Sequence, residues 1–192
     1  IGMPPTTLNR FIMNSNAWKR METGITNTTI FAKEYDVEVQ KGVEKGLLNS
    51  LLSQISGLQV MTTIANGTGE PRCQYVEAIE SLKTLGIKTV ALTNNFKSTR
   101  VENQANVIRS MFDITLESSE LGLRKPNPKI YQLASERANV NMKECVFLDD
   151  IGANLKPAFK LGMKTIRVLV NDVNGVNALH TLEKLIGHQL FV

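Results

Sequence analysis

Cysteine and histidine are scarce in this sequence. Its 192 residues include two cysteines, Cys73 and Cys145, and two histidines, His180 and His188. Two cysteines are too few for a disulfide framework, and the two histidines do not have the spacing of metal ligands. We therefore expect both cysteines to be reduced and buried, as in a cytoplasmic protein.

Long apolar runs and clusters of basic residues are missing as well. No stretch reaches the roughly 20 apolar residues that a membrane-spanning helix needs. Lys and Arg number 22 against 18 Asp and Glu, and they do not form a basic stripe. We therefore expect neither a membrane span nor a nucleic-acid partner. The 42% of hydrophobic and 21% of charged residues are typical of a globular protein.

The pattern of the sequence changes near residue 70. Before it, the apolar spacing is helical, and a domain of helices is predicted over residues 1–69. Thr26 is the expected N-cap of one helix, and Trp18 and Met21 lie on another that ends at Gly24. The clearest amphipathic stripe is predicted from Leu47, Leu48, Leu51, Leu52 and Ile55. A loop or linker is predicted over residues 66–71.

From residue 70 to residue 192, helical and β-rich segments alternate. Strands are predicted at 87–92, 114–116, 145–148 and 165–170, with helices over 76–82, 101–111, 128–133, 155–161 and 176–186. Alternation at these lengths predicts an α/β fold, in which helices cover both faces of a parallel sheet. Ligands of such sheets bind beyond the carboxyl ends of the strands, so the residues that follow each strand are the candidate site residues.

Thr93, Asn94 and Asn95 follow the first predicted strand. Their hydroxyl, amide and backbone N–H groups are able to bind a phosphate. They are equally able to cap the next helix, and for this segment alone the cap is the favoured interpretation.

Asp149 and Asp150 follow a later apolar strand, and Asn154 comes four residues after Asp150. Adjacent carboxylates at the end of an apolar strand repel each other and resist desolvation, and a Mg²⁺ ion would offset both effects. The alternative is a pair of solvent-exposed loop acids. We favour metal binding because the preceding strand is so apolar.

Lys125 lies between Arg124 and Pro126 in a loop that Pro126 and Pro128 stiffen. A lysine held in one place next to a phosphate neutralises its charge. Taken alone, however, the loop is better interpreted as a solvated basic segment.

Taken together and in this order, the three segments resemble motifs II, III and IV of the haloacid dehalogenase (HAD) superfamily. The sequences of these segments are Leu-Thr-Asn-Asn-Phe at 92–96, Arg-Lys-Pro-Asn-Pro at 124–128 and Phe-Leu-Asp-Asp-Ile-Gly-Ala-Asn at 147–154. They are similar to the N-terminal phosphatase domain of soluble epoxide hydrolase and to the related domain of acyl-CoA dehydrogenase family member 10. The resemblance implies an α/β core over residues 70–192 and a helical cap of the C1 type over residues 1–69.

The resemblance also implies a reaction and a role for each motif residue. In this family an Asp attacks a phosphoryl group and forms an aspartyl-phosphate, which water hydrolyses. Thr93, Asn94 and Lys125 would bind the phosphate, and Lys125 and Asp149 would take part in catalysis. Asp150 would ligate Mg²⁺, which Asp149 and Asn154 would support. The implied partner is a small phosphorylated substrate, and a homodimer is a further expectation.

The nucleophile motif of the family, Asp-x-Asp after a buried strand, does not occur in the sequence. The aspartates are Asp36, Asp113, Asp149, Asp150 and Asp172, and no two of them are two residues apart. Asp36-Val37-Glu38 has a similar spacing, but it lies in a helical region and is not taken as the nucleophile. In the family fold the missing strand is central, between the strands of motifs II and IV. The sequence begins with Ile1 instead of Met, so we expect a fragment whose nucleophile lies upstream.

Two functions remain after the sequence analysis. The first is a Mg²⁺-dependent phosphohydrolase of which this sequence carries the phosphate and metal half of the site. The second is a non-catalytic HAD-like module for binding or dimerisation. An upstream apolar run ending in Asp-x-Asp would favour the first, and a genuine start near residue 1 would favour the second.

Overall fold

The computed structural model describes residues 5–66, 71–97, 102–169, 172 and 176–191. These residues form two compact units. Unit 1 comprises the described residues of Ile1–Gly69, Asn94–Glu102 and Glu117–Gly122, and unit 2 comprises those of Glu70–Thr93, Asn103–Leu116 and Leu123–Val192. Two short segments that follow strands of the α/β region therefore pack with the helices of unit 1. The predicted division into domains at residues 1–69 and 70–192 stays a prediction.

Unit 1 is helical. Its elements are α1 (Pro5–Asn14), α2 (Asn16–Glu22), α3 (Thr28–Glu44), a 3₁₀ helix (Ser50–Gln54), α4 (Gly57–Asn66) and the short α7 (Ser118–Leu121). Polar side chains cap the starts of α2 and α3, where Ser15 Oγ accepts from Trp18 N and Asn27 Oδ1 accepts from Ile30 N. The predicted N-cap at Thr26 is therefore one residue early.

The core of unit 1 contains a group of aromatic side chains that contact one another. Phe31 and Tyr35, four residues apart on α3, are fully buried. The ring of Phe31 contacts that of Trp18 edge to face, at 5.6 Å between centroids, and the ring of Tyr35 is also 5.6 Å away. Phe96 packs against the same cluster, with its centroid 6.0 Å from that of Trp18. We call the buried residues of this cluster the helical core.

The predicted helical stripe over residues 47–55 is wrong. Helix α3 ends at Glu44, and Gly46 then adopts a φ of +67°, a left-handed conformation that stops the helix. Leu47 is 76% exposed, and a separate 3₁₀ helix carries Leu51 and Leu52. The leucine spacing resembles that of one helix, but residues 47–49 form a bend and an irregular residue before the 3₁₀ helix begins at Ser50.

The acidic pair of α3 has a structural role. Glu38 accepts hydrogen bonds from the backbone N–H groups of Asn16 and Ala17 at 3.1 Å, at the start of α2. Asp36 accepts from Gly57 N at 2.7 Å, at the start of α4. Both carboxylates therefore stabilise helix N-termini, where negative charge is favourable. This geometry agrees with the decision not to take Asp36 as a nucleophile.

Unit 2 has alternating helices and strands. In chain order they are α5 (Cys73–Thr84), β1 (Val90–Thr93), α6 (Glu102–Met111, whose first residue is counted in unit 1), β2 (Ile114–Glu117, whose last residue is counted in unit 1), α8 (Pro128–Ala138), a 3₁₀ helix (Met142–Glu144), β3 (Val146–Asp149), α9 (Gly152–Lys160), β4 (Lys164–Arg167) and α10 (Val176–Ile186). The helix predicted over residues 176–186 has those bounds, and every predicted strand is found with shifted ends.

The four described strands form two pairs, β1 with β2 and β3 with β4. Strands β3 and β4 are parallel, and their register places Asp149 opposite Arg167. The carbonyl oxygen of Thr89 accepts from the N–H groups of Asp113 and Ile114, which holds the starts of β1 and β2 together. In the described part of the chain, β1 and β3 thus belong to separate pairs.

Three smaller predictions have mixed outcomes. Cys73 and Cys145 carry free thiols, as expected, but Cys73 is exposed and Cys145 only partly buried, so their predicted burial is wrong. Of the predicted linker, residues 67–70 lie outside the described residues, and Asn66 ends α4. In the described ranges, no helix has both the length and the apolar character needed to cross a membrane.

Candidate functional site

The centre of the candidate site is Asp149, the last residue of β3. Its carboxylate is 4% exposed, and the Lys125 ammonium donates to Oδ2 at 2.8 Å. The N–H of Ile151 donates to Oδ1 at 2.8 Å, and the amide of Asn154 donates to both oxygens, at 3.0 and 3.2 Å. Each carboxylate oxygen therefore has two donors, which offsets the cost of burying the charge.

Lys125 is held from two sides. Its side chain is 11% exposed, and Nζ lies 5.5 Å from the centre of the Phe147 ring in addition to its ion pair with Asp149. Attraction to a ring face adds to the attraction to a carboxylate. The alternative of a solvated basic loop is therefore wrong for Lys125.

Tyr131 supports the same group of residues from α8. Its hydroxyl donates to the backbone carbonyl of Asn154 at 2.7 Å, and its ring packs edge to face on Phe147 at 5.3 Å. Burial raises the pKa of Tyr131, and the negative charge of Asp149 raises it further. The hydroxyl thus stays a neutral donor and fixes the first turn of α9. We call Lys125, Tyr131, Asp149, Ile151 and Asn154 the Asp149 network.

Sequence reasoning identified three members of this network and missed two. Tyr131 lies three residues into the helix that Pro128 begins, a position typical of a core residue. Ile151 contributes only a backbone N–H, for which side-chain patterns carry no signal. Neither residue could have been assigned to the site from the sequence alone.

Asp150 differs from its neighbour. It is exposed, whereas Asp149 is buried. We expected both adjacent carboxylates to be desolvated, but only that of Asp149 is. Lys125 supplies the charge that compensates it. The alternative of exposed loop acids describes Asp150 but not Asp149.

The residues at this site fit a Mg²⁺ ion that is held by few protein ligands. Within the described residues, no cluster of three or more His, Cys, Asp and Glu could hold a metal ion. Both oxygens of Asp149 are engaged, which leaves the exposed Asp150, the residue after β3, as the carboxylate that can bind a cation. Mg²⁺ commonly binds one or two carboxylates and keeps several waters, so such a site is chemically reasonable.

Thr93 ends β1, and Asn94 and Asn95 continue the chain into a loop. No described helix begins at these residues, because α6 starts at Glu102, eight residues after Asn94. The favoured interpretation of this segment, a plain N-cap, is therefore wrong. Thr93 belongs to unit 2, as do Lys125 and Asp149, and Asn94 belongs to unit 1.

Comparison with known proteins identifies the fold and its relatives. A family model described as haloacid dehalogenase-like hydrolase matches residues 21–162. Acyl-CoA dehydrogenase family member 10 of Mus musculus is 39% identical over 59% of this chain, and bifunctional epoxide hydrolase 2 of Sus scrofa is 39% identical over 60% of it. These matches confirm the resemblance predicted from the three motifs. The matched regions span only 10% and 21% of the two relatives.

A solved structure has the same fold. It is a HAD-family enzyme of Bacteroides thetaiotaomicron in complex with magnesium and inorganic phosphate. The match has a TM-score of 0.61 at 18% identity and covers 86% of this chain and 80% of the other. The predicted α/β fold class is confirmed.

Proposed function

Because the chain belongs to the haloacid dehalogenase-like hydrolases, we propose that it provides the phosphate- and metal-binding part of a Mg²⁺-dependent phosphohydrolase. The observation that carries the proposal is the buried Lys125–Asp149 pair at the carboxyl end of β3. A buried ion pair contributes little net stability, so its presence beside an exposed carboxylate is better explained by function. The proposed substrate is a small phosphorylated molecule.

Each motif residue has a proposed role. Thr93 and Asn94 hold phosphate oxygens, and Lys125 neutralises the phosphate charge. Asp150 ligates the magnesium ion, which supplies positive charge to the phosphoryl group when it is bound. Asp149 and Asn154 support the ion and the position of Lys125, and their hydrogen bonds at 2.8–3.2 Å are consistent with that support.

The proposal also assigns the nucleophile to a segment outside these 192 residues, because they contain no Asp-x-Asp. A carboxylate of that segment attacks phosphorus, the bond from phosphorus to the ester oxygen breaks, and the leaving alcohol takes a proton from a general acid. Water then hydrolyses the aspartyl-phosphate. Strands β1 and β3 belong to separate pairs, which is compatible with a further strand between them.

The same missing motif favours a second candidate, a non-catalytic module that binds or dimerises. Such a module would keep the fold without turnover, whether or not a further segment is joined to it. The homodimer and the cytoplasmic location stay predictions under either function.

The test compares the 192-residue chain with a longer product of its own gene that includes an apolar strand ending in Asp-x-Asp. Hydrolysis of p-nitrophenyl phosphate is measured with Mg²⁺ and with EDTA. We expect no turnover from the short chain and Mg²⁺-dependent turnover from the long one. In the long one, Asp150→Ala should lower kcat/KM at least 100-fold, whereas Glu77→Ala, at an exposed acid of α5, should change it less than twofold.

Three outcomes would contradict the proposal. Full activity in EDTA would exclude the metal role, and turnover by the short chain would exclude an external nucleophile. A gene with no such strand, combined with the absence of turnover, would favour the binding module.

A further inference from the structure

The loop that carries Asn94 is held by one buried serine. Ser118, the first residue of α7, is fully buried. Its Oγ accepts a hydrogen bond from Asn95 N at 2.9 Å and donates one to Asn95 O at 3.1 Å. One hydroxyl therefore holds both main-chain polar groups of the residue that follows Asn94.

The side chain of Asn95 is engaged as well. Its Nδ2 donates to the buried Glu117 at 3.3 Å, and its Oδ1 accepts from Phe96 N at 2.8 Å. The main-chain and side-chain polar groups of Asn95 thus all form hydrogen bonds that hold the loop. Asn95 is an anchor, which differs from the phosphate-binding role proposed for Asn94.

The next residue of the loop is anchored by packing. The ring of Phe96 lies edge to face on Trp18 at 6.0 Å, within the same compact unit. Asn94 is consequently followed by two fixed residues, Asn95 and Phe96. A loop ordered before binding spares a ligand the free-energy cost of ordering it.

From this geometry we infer that Ser118 is a positioning residue for phosphate binding. It acts through Asn95 on the orientation of Asn94 and does not touch the phosphate. The inference rests on the proposed function, because it requires Thr93 and Asn94 to bind phosphate. It adds to that function a residue outside the three motifs.

The test measures inorganic phosphate binding by the 192-residue chain in the presence of Mg²⁺. Backbone amide shifts of residues 93–96 are followed by NMR during a phosphate titration, with Thr93→Val as the variant that lacks a proposed phosphate ligand. Ser118→Ala removes the hydroxyl, and Ser119→Ala is the matched control. Ser119 is also buried, and within the described residues its hydroxyl does not bond to Asn95.

We expect Ser118→Ala to raise the dissociation constant of phosphate about tenfold, which corresponds to the loss of two hydrogen bonds. Ser119→Ala should raise it less than twofold. Amide exchange at Asn95 should become faster in Ser118→Ala only. A merely structural role would lower the melting temperature without changing the affinity of the folded protein.

The outcomes separate this inference from the proposed function. If the unsubstituted chain binds phosphate and Ser118→Ala and Ser119→Ala weaken that binding equally, only the positioning role is overturned. The absence of phosphate-induced shifts at Thr93 and Asn94 in the parent would overturn the proposed function and the positioning role with it. If Ser118→Ala unfolds, Ser118→Cys keeps nearly the same volume with a weaker hydrogen-bonding group, and the same comparison applies.

Discussion

The helical core of unit 1 and the Asp149 network of unit 2 bury polar groups in opposite ways. In the helical core, Trp18 Nε1 and the Tyr35 hydroxyl are buried without a hydrogen-bond partner among the described residues. In the Asp149 network, every oxygen of the buried carboxylate has two donors. Among the described residues, these two polar groups of the helical core thus lack partners, whereas the buried carboxylate of the Asp149 network is fully hydrogen-bonded.

The difference follows from the magnitude of the two costs. A buried neutral group without a partner costs about 1–3 kcal/mol, which the burial of one large aromatic side chain offsets. An uncompensated buried charge costs several kcal/mol, and packing does not offset it. The helical core can therefore rely on packing, whereas the Asp149 network needs a complete set of donors.

The largest expected effect is that of Phe31→Ala in the helical core. Phe31 is fully buried between two aromatic rings, so its removal should lower the free energy of unfolding by about 4 kcal/mol. Urea unfolding followed by the fluorescence of Trp18, the single tryptophan, measures it. Ile30→Ala, at a neighbouring residue that is 43% exposed, should cost less than about 1 kcal/mol. Equal losses would contradict the dominance of packing here.

Lys125→Met should have the next largest effect, because it leaves Asp149 as an unpaired buried charge. We expect a loss of about 3 kcal/mol in the free energy of unfolding, measured by urea and circular dichroism. Asp149→Asn in the same chain should restore part of it, since it removes the charge. Lys129→Met, at an exposed lysine of α8, is the control. A loss below 1 kcal/mol for Lys125→Met would show that the pair is not buried in solution.

A pair of tyrosines gives the most direct comparison, because both are fully buried. Tyr131→Phe removes a hydroxyl that donates to Asn154 O and should cost about 1 kcal/mol. Tyr35→Phe removes a hydroxyl with no partner among the described residues and should leave stability unchanged or raise it. Thermal unfolding of the two variants side by side measures the contrast. A greater loss for Tyr35→Phe would reverse the comparison.

The smallest effect is expected from a polar contact of unit 2 between the exposed Asp113 and the buried Thr89. Two hydrogen bonds from Thr89 lower the pKa of Asp113, the backbone bond more than the hydroxyl bond. A lowered carboxyl pKa stabilises the fold above the ordinary carboxyl pKa of about 3.9, and this contribution is lost as the pH falls through the folded value. Asp113→Asn should therefore cost a fraction of a kcal/mol at pH 7 and less at pH 2, as urea unfolding at both values would measure. A gap that widens in acid would contradict the sign.

Part of the candidate site could be predicted because Asp149 lies at the end of a strand. The apolar run before Asp149 and the prolines around Lys125 indicated their positions, and the three motifs fixed their order along the chain. The pairing of Lys125 with Asp149 could not be predicted, since 24 residues separate them. The choice of Asp149 as the buried carboxylate was equally out of reach, because the residue type is the same at both positions.

The fold shows the same division. Local signals predicted α10 with its bounds and each of the four strands within a few residues. The helix predicted across residues 47–55 failed because apolar spacing alone does not distinguish one α-helix from a bend at 47–48 followed by a 3₁₀ helix over Ser50–Gln54. The described residues of 94–102 and residues 117–122 join unit 1 through packing, which cannot be read from the local sequence.

By itself, the sequence determined the class of fold, the order of the motifs and the absence of an Asp-x-Asp pair. Those properties depend on apolar periodicity and residue identity, which can be read along the chain. Only the tertiary structure decided that Lys125 compensates Asp149, that Tyr131 fixes Asn154 and that Ser118 holds the loop after Thr93. Each of these is a hydrogen bond between residues about 23 or 24 positions apart, and only folding brings such residues within 3.1 Å.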